Sequence, residues 1–171
     1  MRGSKIMAVG ALSAAAMLGS GTTAVSALGQ DGAGHQSPQQ AGHRAAIVFE
    51  ETLAPSTPTG PVLHAVSPGG APWALRHGSA RLTRDGQLRV DVRGLVLPSA
   101  HGTPGGVKTV TASLYCGNDT VAAGTTPAAE ISRTGNARME GTLTLTSTCF
   151  APLVLVHPNA SATAYIAAGG F

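Results

Sequence analysis

The stretch HGSARLTRDGQLRVDVR, His77 to Arg93, decides the fold. Ala80 and Leu82 alternate with Ser79, Arg81 and Thr83. Beyond the turn, Leu88, Val90 and Val92 alternate with Gln87, Arg89, Asp91 and Arg93. Successive side chains of a strand point to opposite faces, so this is a hairpin with one wet face and one buried face. The same pattern fixes the turn length. A two-residue Asp85-Gly86 loop sets Leu82 opposite Arg89 and brings a charge to the core face. A three-residue Arg84-Asp85-Gly86 loop pairs Leu82 with Leu88 and Ala80 with Val90, and Gly86 supplies the left-handed residue such loops need. A one-residue slip would turn every side chain over, so the second register is expected.

Working outward, short apolar runs alternate with Pro and Gly on both sides of the hairpin. Ala46–Phe49 reads as a first strand and Val62–Val66 as another, separated by Pro55, Pro58, Gly60 and Pro61. In Val107–Cys116, Val110, Ala112, Leu114 and Cys116 share one face, while Thr109, Thr111, Ser113 and Tyr115 share the other. In Glu140–Cys149, Gly141, Leu143, Leu145 and Cys149 share a parity and the threonines face water. Ala128–Arg133 leads into that strand through a Gly135-Asn136 turn. Leu153-Val154-Leu155-Val156 has no polar alternation, which suits a strand covered on both faces. Ala162–Ala168 closes the domain. No window beyond the N-terminus shows the 3.6-residue period of a helix, so eight to ten short strands in two packed antiparallel sheets are expected, a β-sandwich.

The N-terminus has a different character. Arg2 and Lys5 precede an apolar run from Ile6 to Leu18, and Val25-Ser26-Ala27 offers the small residues that a signal peptidase reads. That run is about 13 residues, short of the roughly 20 that span a membrane. Residues 1–27 are therefore read as a cleaved secretory signal, with no stable membrane anchor. Residues 28–44, rich in Gly, Gln and Pro, read as a flexible arm too polar to offset its ordering entropy. Residues 45–171 form the domain. Arg2 and Lys5 leave with the signal, so the formal charge of +3 falls to +1. One lysine, Lys108, remains. Such a chain lacks the basic surplus of a nucleic-acid binder.

The two cysteines, Cys116 and Cys149, read as a disulfide in an exported chain. Both fall on the apolar side of their strands, so the bridge is expected inside the sandwich.

No catalytic motif is present. There is no Gly-x-Ser-x-Gly beyond the signal and no His-Glu-x-x-His. Of the eight carboxylate residues, Asp85 and Asp119 belong to turns, while Glu50 and Glu51 point to opposite faces of a strand. Six histidines raise a metal reading. His35 and His43 lie in the arm, His77 in the hairpin, and His64, His101 and His157 are the weak candidates for a site built from loops. Arg81, Arg89 and Arg93 on the wet face of the hairpin read either as a surface for acidic glycan or cell-wall polymer, or as an ordinary solvated face that discourages edge pairing. The second reading is preferred. Trp73, in a Pro-Gly loop, is the aromatic that joins them as a ligand-surface candidate, although a lone Trp more often packs on its own sheet.

TVTASLYCGNDT (Thr109–Thr120) and LVLVHPN…AYIAAGGF (Leu153–Phe171) resemble small secreted proteins of high-GC Gram-positive bacteria. Gly78–Leu97 and Leu153–Gly169 are more distantly similar to the two ends of a CHRD-type β domain. Where that family has a His-x-His stretch, this chain has Ser113-Leu114-Tyr115-Cys116, so no ligand set is carried over. The resemblance supports the all-β reading, so an all-β, two-sheet antiparallel sandwich of Ig-like or CHRD-like kind is expected, with the one disulfide buried in it. The expected role is non-catalytic binding or structure outside the cell, with no cofactor. The alternative is an exported metal-binding protein or hydrolase using the loop histidines.

Overall fold

The computed structural model describes residues 46–145 and 148–170. The leader and the arm lie outside the described residues, as do Thr146 and Ser147 of the expected third long strand. The strands are β1 (Ile47–Thr52), β2 (Ala54–Pro55), β3 (Ser67–Pro68), β4 (His77–Thr83), β5 (Gln87–Arg93), β6 (Thr109–Tyr115), β7 (Gly124–Thr125), β8 (Ala129–Glu130), β9 (Ala137–Thr142), β10 (Leu153–Pro158), β11 (Ala164–Tyr165) and β12 (Ala167–Gly169). Among the described residues the only helical element is a single 3-10 turn, Pro98–Ala100.

Ten of these strands form two antiparallel sheets that share a core, and β3 and β11 form a separate parallel pair. Sheet A runs β1-β4-β5-β9 and sheet B runs β2-β12-β10-β6-β7, with β8 also on β6. Sheet A contributes Ala80, Leu82, Leu88, Val90, Val92 and Met139; sheet B contributes Val110, Ala112, Leu114, Val154, Val156 and Ala167. Leu53, between β1 and β2, is buried in the same core. The chain there passes from the edge of one sheet to the edge of the other. The hairpin has the register its charges demanded, with Leu82 opposite Leu88 and Ala80 opposite Val90. Gly86 is left-handed at φ 82°, and a Cβ there would lie 2.2 Å from the Leu143 carbonyl oxygen. No other residue closes this loop.

Several strand expectations need correction. Val62–Val66 is not a strand but a tight turn. Leu63 and Val66 bond to each other across His64 and Ala65, both at positive φ. The third long strand ends at Thr142, after which Leu143 bonds back to Gly86 rather than along a ladder. Ala128–Arg133 contributes only the two residues of β8, and Ala162–Ala168 divides into β11 and β12. The outer side of β6 is not wet. Thr111, Ser113 and Tyr115 are all buried, because a parallel β3–β11 ribbon and adjoining loops cover that face. This second layer packs Val66, Tyr115, Leu153, Leu155, Tyr165 and Ala168 into a smaller core.

The Cys116–Cys149 disulfide is present, with a Cα–Cα distance of 5.1 Å. Both cysteines are half-buried against the rim of the main core. It joins the end of β6 to the segment before β10, across a sequence separation of 33. On the chain-entropy account, removing it costs about 3–4 kcal/mol. The C116A/C149A double variant is expected to lose that much in urea denaturation followed by circular dichroism. An unchanged midpoint and slope would show that the bridge constrains nothing.

Candidate functional site

On β10 the side chains divide by parity. Val154 and Val156 enter the main core, while Leu153, Leu155 and His157 point to the outer face of sheet B. The neighbouring strand β6 places Tyr115, Ser113 and Thr111 opposite these three. The upper part of this face is sealed by the smaller core. Its lower part is a cleft of about 500 Å³. The floor carries Thr111, Ser113 and Tyr115 of β6, Thr125 of β7 and His157 of β10. The walls are His64–Val66, Thr120–Ala122 and Ala160–Ala162.

Two walls rest on turns that the backbone does not favour. His64 and Ala65 have φ of 49° and 65°, and Asn159 and Ala160 have 50° and 56°. Left-handed backbone costs a residue with a Cβ on the order of 1–2 kcal/mol, so the surrounding contacts must hold these turns in place. They are visible. His64 donates Nδ1–H to the Asp119 carbonyl and stacks on Tyr115 with ring centroids 4.8 Å apart. The Asn159 side-chain oxygen accepts from the backbone N–H groups of Lys108 and Thr109 at 2.8 and 3.3 Å. Ser113 and Thr125 share a hydroxyl hydrogen bond of 2.8 Å across the floor.

His157 is the polar group at the bottom. It is 2% exposed, its Nδ1–H donates to the Ala164 carbonyl at 2.9 Å, and its Nε2 makes no hydrogen bond. Burial pushes its pKa below the usual value, against a smaller upward pull from the Ala164 and Ser161 carbonyls. The ring is thus neutral at physiological pH, with a bare lone pair on Nε2. Burial also holds the Tyr115 phenol in its neutral form. Among the described residues no Asp, Glu, Lys or Arg lines the cleft.

Of the three histidines named as candidates for a loop-built site, His64 and His157 line this cleft, and His101 does not. His101 caps the 3-10 turn in an exposed left-handed position. Among the described residues no group of three or more His, Cys, Asp or Glu is placed to hold a metal ion. Trp73 is 8% exposed within the main core, which removes it from the ligand-surface candidates. A ring packed there has no face for a sugar.

The arginine face is compensated within sheet A. Glu50 of β1, Arg81 of β4, Arg89 of β5 and Glu140 of β9 stand in one cross-strand row. Arg81 pairs with Glu50 and Arg89 with Glu140 at 3.0 Å, while Arg138 holds Asp91 at 2.6 Å. The two facing arginines of the hairpin register thus sit between two carboxylates. Arg93 stands opposite His77 at the far end of the hairpin. A further cleft, about 570 Å³, lies beside β1 and Cys149; none of its lining atoms is a buried polar atom without a partner.

No protein-family model, curated protein or solved structure matches this chain. The geometry of the cleft therefore carries the functional argument alone.

The floor residues Thr111, Ser113 and Thr125 were missed from sequence because threonine and serine on an alternating strand read as solvent-facing. One signal was available. His157 continues the parity of Leu153 and Leu155 in an unbroken apolar run, which places it inside.

The lowered pKa of His157 has a consequence for stability. The unfolded imidazole titrates near 6.5, so below that pH the unfolded state binds more protons than the folded one. Stability is retained above about pH 6.5 and falls as pH drops towards the folded value. Thermal unfolding between pH 7.5 and 5.5 is expected to show this loss, and His157→Gln to flatten it. A wild-type slope that persists in the variant would assign the effect to another group.

Proposed function

We propose that this protein is exported, loses residues 1–27, and acts outside the cytoplasm or in the envelope as a non-catalytic binding protein whose ligand occupies the outer-face cleft of sheet B. Export is supported by the leader-like N-terminus and by the disulfide, which belongs to an oxidising compartment. Among the described residues no helix is long and apolar enough to cross a membrane.

The observation that carries the binding reading is a concave, uncharged surface with a buried imidazole nitrogen left without a partner. Ligand sites combine a formed cavity with a few convergent polar groups; here Thr111, Ser113 and Thr125 line the cleft and Nε2 of His157 lies buried directly beneath its surface. A catalytic reading needs a nucleophile activated by a base and oriented by a third group. Here the Ser113 hydroxyl is shared with Thr125 instead, and among the described residues no carboxylate side chain lines the cleft. The self-paired arginines argue against the hairpin face as the main contact for wall polymer. The co-location of His64 and His157 favours metal binding as the second reading.

The test is a thermal-shift screen of the exported protein against small neutral molecules (polyols, saccharides, blocked peptides), a polyanionic wall polymer, and zinc. Its N-terminus is sequenced first. The expected N-terminus is Leu28, with stabilisation by neutral molecules that Ala162→Trp abolishes by filling the cleft from an exposed position. Stabilisation by polyanion alone, lost in R81Q/R89Q and kept in A162W, would overturn the cleft reading. Stabilisation by zinc alone, lost on removing His64, would replace it with metal binding. A retained Met1 would overturn export.

A further inference from the structure

We propose that the outer-face cleft takes an uncharged saccharide, one of whose hydroxyl groups donates to Nε2 of His157. The inference rests on the reading of the cleft as the ligand site, and adds the class of ligand and the atom that holds it.

The imidazole sets the first requirement. Nδ1 is committed to the Ala164 carbonyl, and Nε2 is a buried acceptor with no donor. Buried polar groups are almost always paired, and an unpaired acceptor bordering a cleft offers a ligand donor a partner. Ammonium is a poor candidate for that donor, because a buried cation needs a counter-charge and no carboxylate side chain among the described residues lines the cleft. A carboxylate ligand would equally lack a cationic partner. The donor that fits is a neutral hydroxyl or amide.

The rest of the floor selects among neutral donors. Thr111, Ser113 and Thr125 each carry a hydroxyl that both donates and accepts. A row of vicinal hydroxyls on a ligand answers such a floor, whereas a plain hydrocarbon would offer no partner to Thr111 or to the hydrogen-bonding capacity the Ser113–Thr125 pair has left. Val121, 77% exposed at the lip, and the half-buried His64 ring that lies over Tyr115 supply apolar surface for the C–H face of a sugar ring. A volume of about 500 Å³ lies within the range of small-ligand sites.

Nε2 is sealed from bulk water, so the ligand hydroxyl must displace part of a wall. The wall nearest His157 in sequence is Ala160–Ser161–Ala162, which contains nothing larger than serine and begins in a left-handed turn. With the turn itself held by the Asn159 clasp, Ser161 and Ala162 are the part expected to yield.

The test follows the His157 ring nitrogens by long-range 1H–15N NMR on the exported protein at pH 7.5. The probes are glucose, N-acetylglucosamine and their β1,4-linked disaccharides, with glucuronate and glucosamine as charged controls. The expected result is a saturable shift of the bare Nε2 resonance with at least one neutral probe. Both charged analogues should bind at least tenfold more weakly, and His157→Phe should weaken neutral binding about tenfold or more. The wild-type resonance decides the matter even if that variant fails to fold. Shifts at Thr120–Ala122 and His64 without movement of Nε2 would overturn the inference and leave the binding cleft standing. Equal binding of charged analogues would do the same. An Nε2 resonance already hydrogen-bonded without sugar and indifferent to it would mean a buried water holds the atom, and would also overturn the inference. Binding by none of the probes excludes the saccharide class. The broader thermal-shift screen then judges the cleft separately.

Discussion

Every side chain from Leu153 to His157 is buried, so β10 presents no face to water and sheet B must be covered on both sides. Sheet A covers one face through an ordinary sandwich core. The other face is covered by loops and the short β3–β11 ribbon, which close over Leu153, Leu155 and Tyr165 but leave a cleft above Thr111, Ser113 and His157. The strained turns, the stacked His64–Tyr115 pair and the Asn159 clasp are all parts of that second cover. The disulfide ties the end of β6 to the approach of β10, the two strands that carry most of the floor. A structural demand, burying a two-sided strand, thus produces the concave surface from which a function is inferred.

Sheet A solves a different problem. Its outer face is wet, and its row Glu50–Arg81–Arg89–Glu140 alternates charge so that like charges in the central hairpin are flanked by opposite ones. Exposed ion pairs of this kind contribute about 0–1 kcal/mol each. Their role lies in register and in keeping the face from pairing with other sheets, more than in stability. The two faces that looked alike in sequence, one with arginines and one with threonines, end in opposite environments.

The hairpin was legible to the residue because two constraints acted on the same stretch. The period-2 alternation demanded strands, and the charges on Arg81 and Arg89 excluded one of the two registers. The disulfide and the two-sided burial of Leu153–Val156 were legible for similarly local reasons. The His64–Ala65 turn was not. Neither residue favours a left-handed backbone, and Val62–Val66 has the composition of a strand. Burial of Trp73, Thr111 and Ser113 was also hidden, since it depends on which distant segments lie over them. The cleft belongs to this class. Its floor comes from β6, β7 and β10 and its walls from three loops, and no local pattern in any of them indicates the others. His157 alone carried a local signal, the parity of the run in which it stands, although it reads in sequence as a loop histidine and stands on β10.

Chemical modification of the histidines tests the double covering of sheet B most directly. Diethyl pyrocarbonate attacks a neutral imidazole nitrogen, and a bare Nε2 open to solvent would be an excellent target. In the folded protein at neutral pH, His77 and His101, both exposed, are expected to react while His157 stays unmodified until the protein is unfolded. Modification of His157 at the rate of His77 and His101 would mean that the outer face of β10 is open to water, and the second cover would then not exist.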